Sequence, residues 1–370
     1  ARSTMDGRYP LSFAYNAQTG LPQDYDSAID APYTTFPLSS TQIAVSSLAF
    51  RIALTTRDNK VRVKAWNLAL NLLERSLEFR QEGGFSEVYP IEREAGMWPP
   101  PLGFSVKTNA KGYRYLREVS QILSQAQSIH PDIARLNNAT AVALTEQEDF
   151  LRRYVFGRVI SEGIVPFGIR QIVDVHSNTS ILSEEIWTAP DAWLELIAAI
   201  QLMPPEKRTD LNGNLLPAAK DLLDNLALVH GSYRQGAWGL DYSLMPRPEG
   251  LAISSLSTAQ MYALAKEIGY QEAEDYLKYI LSSYPRSSFA LLETIGPEIK
   301  DIPQEGLPSG QGYNLLSTAD RQSWPESPLA TAYLLTAEHN LYSRRLELGE
   351  IKEAIDIMKT RLPDPREEGQ

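Results

Sequence analysis

The spacing between helices constrains this chain more than any single motif does. Apolar residues recur with a helical period along most of its 370 residues. Trp66, Leu70, Leu73 and Leu77 fall at i, i+4, i+7 and i+11, and Leu116, Val119, Leu123 and Ala126 repeat the pattern. So do Ala330, Tyr333, Leu334, Ala337 and Leu341, and then Ile351, Ala354, Ile355 and Met358. The pattern predicts helices over 41–56, 60–80, 112–129, 146–160, 190–203, 215–230, 255–268, 271–283, 328–342 and 349–360. Thr145 with Glu148 reads as a capping box for the fourth, and Ser327-Pro328 as N-cap and N1 proline for the ninth. Gly231 and Gly269 read as stop signals.

Short and long connections alternate between these segments. Short ones make antiparallel hairpins, so every long one must leave from the same end. Five or six hairpins closed into a ring give an all-α (α/α)5–6 toroid, with long loops and short strand pieces (164–169 and 171–175) on one rim. The expected organisation is a single toroid domain over 1–362 and a flexible Pro/Glu-rich tail over 363–370.

Composition narrows the function classes. The chain is 43% hydrophobic and 22% charged, as folded globular proteins are, and its net charge of −11 gives no basic field for nucleic acid. It contains no cysteine, which removes disulfides, thiolate metal sites and a Cys nucleophile. No run of about 18 apolar residues is long enough for a membrane span. The opening Ala1-Arg2-Ser3 is what a trimmed precursor would leave, so a secreted or periplasmic location is the expectation. Neither HExxH, P-loop, GxGxxG nor GxSxG occurs, so no metal and no cofactor are expected. Asp210, Asn212 and Asn214 have a calcium-loop rhythm but lack its twelfth-position acid.

The parity of the connections gathers the unusual residues on one rim. Before the first helix lie Asp24 and Asp26; after the second come Glu87, Tyr89 and Trp98. Glu162, Asp174 and Trp187 follow the fourth, Trp238, Asp241 and Tyr242 the sixth, and Tyr313, Arg321, Trp324 and Glu326 precede the ninth. Carboxylates interleaved with aromatics suit a sugar, whose apolar face stacks on a ring while its hydroxyls need polar partners. Hydrolysis of a glycosidic bond needs two carboxyl groups, one protonated and one ionised. Glu87 is the candidate general acid and Asp241 the candidate base or nucleophile, with Glu162, Asp174 and Glu326 as rivals. Asp24, Asp26, Tyr89, Trp98, Trp187, Trp238, Tyr242, Tyr313, Arg321 and Trp324 are candidate substrate contacts.

Three stretches resemble a known group. Thr19-Gly-Leu-Pro-Gln-Asp24 is similar to the TGL-P-x-D opening of secreted bacterial α/α-toroid proteins of the glucoamylase-like and β-1,2-glucanase-like group and its envelope-polysaccharide relatives. Gly236-Ala-Trp-Gly-Leu-Asp241 resembles that group's G-x-Y-G-F-x-D loop, with Trp238 for Tyr and Leu240 for Phe. Trp324-Pro-Glu326 resembles its Trp-x-Glu helix start. The resemblance implies a toroid and a poly- or oligosaccharide ligand, with polysaccharide-secretion or envelope proteins as partners.

Two alternatives stay open beside the hydrolase. A polysaccharide lyase would use a neutral Tyr or His to take a proton and a cation or amide on the uronate; His176, Asn178, Tyr242 and Arg321 could supply these, given a locally positive groove. A non-catalytic glycan-binding module would keep the aromatics and need no carboxylate pair.

Overall fold

The computed structural model describes residues 39–78, 80–86, 103–127, 131–174, 179–184, 188–234, 237–241, 253–284, 286–287, 290–291, 294–295 and nine positions between 332 and 356. Its helices pair as the connections require. The hairpin α1 (Ser39–Thr55) and α2 (Asn59–Glu78) turns in three residues, 56–58. The next pair is α3 (Val106–Ala126) and α4 (Pro131–Tyr154), four residues apart in sequence, and α4 continues into α5 (Phe156–Glu162). Then come α6 (Pro190–Leu202) and α7 (Ala219–His230), followed by α8 (Ser255–Glu267) and α9 (Gln271–Ser282).

The helices form two layers. The first helices of the hairpins, α1, α3, α6 and α8, pack side by side, and each is backed by its partner α2, α4, α7 or α9. Burial explains which layer each joins. In α8 every residue from Ser257 to Ala265 is buried, and in α6 so is every residue from Ala192 to Ile200, a pattern tolerated only with neighbours on all sides. One core cluster runs from α3 to α9 and includes Leu334 and Ala337; a second spans α1 to α4 and includes Ile351 and Ile355. Among the described residues of the last helical stretch, Leu334 and Ala337 thus belong to the core of α3 to α9, and Ile351 and Ile355 to that of α1 to α4. Among the described residues Trp66, Trp193, Tyr113 and Tyr262 are the largest fully buried side chains.

Two expectations change. The fourth helix begins at Pro131, fifteen residues before the expected start at 146. Thr145 lies inside it, and its hydroxyl donates to Ala141 O of the preceding turn rather than capping anything. The connection between α3 and α4 therefore shrinks to four residues, which strengthens the alternation. Gly231 ends α7 without positive φ: it is extended, and a Cβ there would lie 2.2 Å from Ala227 O and 2.9 Å from Trp238 Cζ2. Space, not backbone handedness, demands glycine at that position. Gly269, with φ 72°, does end α8 in the left-handed way.

Candidate functional site

All named strands lie in the long connections, and their pairings stitch one connection to the next. β1 (Arg80–Gln81), β2 (Gly84–Phe85) and β3 (Gly103–Ser105) belong to the stretch before α3. β4 (Gly168–Asp174) and β5 (Thr179–Glu184) belong to the one before α6. β3 pairs antiparallel with β4, Ser105 opposite Gly168, so two successive long connections share a sheet. β8 (Ile253–Ser254), just before α8, pairs with β9 (Thr294–Ile295) of the connection after α9. Ser39 Oγ, at the start of α1, donates to Ser86 O at 2.6 Å. The described parts of the long connections therefore lie with the starts of the inner helices on one rim.

Asp241 and Trp238 sit on this rim in a rigid frame. β6 (Gly231–Arg234) and β7 (Ala237–Leu240) form a hairpin that sets Trp238 opposite Tyr233. Asp241 follows β7; its N–H donates to His230 O at 2.6 Å, and only 2% of the residue is exposed. Tyr284 Oη donates to Trp238 O at 2.7 Å, and Leu240 N–H to Thr258 Oγ1 at 3.1 Å. Gly239 must be glycine, because a Cβ would lie 2.1 Å from Tyr284 Oη and 2.4 Å from Ile253 Cγ2. The half-buried indole of Trp238 meets the Tyr276 ring edge-on, with centroids 5.7 Å apart.

Behind the hairpin lies a buried polar chain. Trp193 Nε1 donates to Thr188 Oγ1 at 2.6 Å, which leaves the hydroxyl proton for His230 Nε2 at 3.4 Å. Burial pushes the His230 imidazole down to about 4, against a smaller upward pull from Asp191, so the ring is neutral at pH 7. The neutral ring then carries its proton on Nδ1, which finds no partner among the described residues.

Beside it, an ionic ladder joins the inner helices α3 and α6. Lys107 Nζ lies 2.6 Å from Asp191 Oδ2, Lys111 Nζ 3.4 Å from Glu195 Oε1, and Arg114 Nη1 2.8 Å from Glu195 Oε2. Burial alone would raise the Glu195 carboxyl, but Lys111, Arg114 and Lys107 together hold it below the usual range. Further down the rim, Asn109 uses its whole amide: Oδ1 accepts from Phe85 N–H and Gln147 Nε2, and Nδ2 donates to Phe85 O and Ser105 O.

Of the residues singled out from sequence, Asp241 and Trp238 come together within this frame. Glu162 ends α5, half exposed, with Arg158 Nε donating to it at 2.9 Å. Asp174 is the last residue of β4, opposite Thr179 in β5. Asp24, Asp26, Glu87, Tyr89, Trp98, His176, Asn178, Trp187, Tyr242, Tyr313, Arg321, Trp324 and Glu326 lie outside the described residues. The Asp210 rhythm is an Asx turn: Oδ1 accepts from Asn212 N–H and Asn214 N–H, and Oδ2 from Asn214 Nδ2. The ladder and the Thr188–His230 pair were not singled out. Lys107, Lys111 and Arg114, at spacings of four and three, and Asp191 with Glu195, four apart, did carry a signal. His230, at the junction of a helix and a loop, carried none.

No family model and no curated relative matches the chain. Among solved structures it is similar to the crystal structure of a D-mannose isomerase, at 12% identity over 96% of each chain, with a TM-score of 0.38. That protein is a sugar isomerase by its name; the likeness concerns the course of the chain and goes no further.

Proposed function

We propose that this toroid is a carbohydrate-active enzyme, a glycoside hydrolase acting on a poly- or oligosaccharide at its elaborated rim, with Asp241 as base or nucleophile. The observation that carries the proposal is the position of Asp241. It is a buried carboxylate, fixed through its backbone, three residues from a partly accessible Trp on the rim where the long connections meet. A carboxylate so held can stay in place opposite an anomeric carbon while the indole of Trp238 supplies a face for the neighbouring ring. In the reaction water adds across the C–O bond: its hydroxyl goes to the anomeric carbon, and a second carboxyl group delivers a proton to the leaving oxygen. Glu87, Asp174 and Glu326 are the candidate donors, beside Glu162, which is half exposed and paired with Arg158.

The test is incubation with a panel of α- and β-glucans, galactans and uronates, reading reducing ends and 232-nm absorbance together. Reducing ends without absorbance are expected. They should fall by at least about a hundredfold in Asp241→Asn, whose shape matches but whose charge is gone. Absorbance rising with the reducing ends would mean elimination, and binding without turnover would mean a non-catalytic module; either overturns the proposal.

A further inference from the structure

An aromatic strip lies where the β6–β7 hairpin meets the outer layer of helices. Tyr233 and Trp238 are direct partners across the hairpin, so their side chains share one of its faces. That face meets α9, which backs α8 on the outside. Tyr233 Oη lies 3.3 Å from Tyr276 Oη, and the Trp238 and Tyr276 rings are the edge-on pair at 5.7 Å. Tyr279 follows Tyr276 by three residues, on the same side of the helix. Tyr233, Tyr276 and Tyr279 are 69, 44 and 73% exposed. One exposed tyrosine needs no explanation, but three beside a tryptophan mark a surface that binds something. At about 200 Å² for a whole tyrosine, the three expose about 400 Å². One side of a stable protein complex contributes about 800 Å², so a second copy of the chain would find half of what it needs. Asp275, Lys278 and Ser282, which border the rings on α9, are polar and exposed, so the apolar surface does not continue along that helix.

We propose that this strip is an accessory glycan-binding site, on which a polysaccharide engaged at the rim continues over the outer wall with its sugar rings stacked on Tyr233, Tyr276 and Tyr279. The proposal rests on the glycan reading above and deepens it: the substrate is a polymer long enough to pass from the rim to the outer wall. Trp238 stands at the junction, three residues before Asp241 in the chain and packed against Tyr276. From Trp238 through Tyr276 to Tyr279 the strip extends about 11 Å, one ring-to-ring step plus one step along a helix face, comparable with two linked sugar rings. Each tyrosine offers an apolar face to the C–H groups of a sugar and a hydroxyl at its edge for the sugar's own hydroxyls. The Tyr233–Tyr276 hydrogen bond and the edge-on Trp238 hold the rings in place before a ligand arrives. Tyrosine has few torsions to lose, so little ordering remains to oppose binding.

The test is electrophoresis of the full chain, run cold, through native gels holding a soluble β-glucan, α-glucan or galactan, with retardation against a polymer-free gel as the readout. At least one polymer should retard the protein. Tyr279→Ala removes a ring that stands in water, so thermal melting should be unchanged. Its affinity for that polymer should nevertheless fall about tenfold. Tyr279→Phe keeps the ring and should bind within about twofold of the native chain. Equal retardation of the native chain, Tyr279→Ala and Tyr233→Ala would overturn the inference, and the glycan reading would stand without it as long as reducing ends are released. A dimer by light scattering that Tyr279→Ala dissociates would overturn it too, because a second copy would then cover the strip. Retardation that Tyr279→Ala abolishes, in a chain that releases no reducing ends, would support the strip and remove the hydrolase. A native chain neither retarded nor active would strike the glycan reading, and the inference with it.

Discussion

Replacing His230 with Gln should flatten the dependence of stability on acid. The imidazole has an ordinary pKa of 6.5, which the unfolded chain restores, and about 4 in the folded protein. Between those values the unfolded chain holds a proton that the folded one does not. Stability is therefore fully present above pH 6.5 and falls as pH drops towards 4. At about 1.4 kcal/mol per unit, the whole effect is about 3 kcal/mol, and the part between pH 7 and pH 5 is about 2 kcal/mol. Urea unfolding at those two pH values, followed by tryptophan fluorescence, measures it, since Trp193 shares Thr188 with the ring. Glu195, held below the usual carboxylate range, stays ionised throughout this window. The remaining histidines are common to both proteins and cancel in the difference. The native chain should lose about 2 kcal/mol more than His230→Gln on going from pH 7 to pH 5. Equal losses would mean that His230 is solvated and charged in the folded state, and the buried polar chain drawn here would be wrong.

Two further substitutions probe the rim. Gly239→Ala should cost about 1–3 kcal/mol by thermal melting, because the new methyl would strike the Tyr284 hydroxyl and Ile253 together; an unchanged melting temperature would mean the β6–β7 hairpin yields freely. Asn109→Ala should cost about 3 kcal/mol, because Phe85 N–H and two carbonyls lose their buried partner. Restoring the shape with Asn109→Asp should not rescue it, since a carboxylate cannot donate to Phe85 O and Ser105 O.

Period and parity made the layers legible. Residues such as Trp66, Leu73, Leu116 and Leu123 are core positions in the structure, as their spacing requires. The reading failed where chemistry was local and ambiguous. Thr145 and Glu148 have the right types for a helix start, yet four preceding turns of weakly apolar sequence from Pro131 are stabilised by packing rather than by their own periodicity. Gly231 has the right type for a left-handed cap, but its neighbour Trp238 decides the matter from seven residues away. The ladder was half legible. Lys107, Lys111 and Arg114 announce a helix face, but only the packing of α3 on α6 turns that face towards Asp191 and Glu195. The burial of His230 depends on Thr188 and on Asp241 N–H, forty-two residues before it and eleven after, and no local pattern encodes that.

The pairing of β3 with β4, and of β8 with β9, has a consequence for how such a protein could diversify. Loops that hang separately can be lengthened, swapped or trimmed one at a time. Here the excursions are laced into a belt, so an insertion in one drags its neighbour's backbone partners out of register. Changes in what the mouth admits would have to arrive as matched couples, and any attempt to graft a new specificity should transplant adjoining segments together.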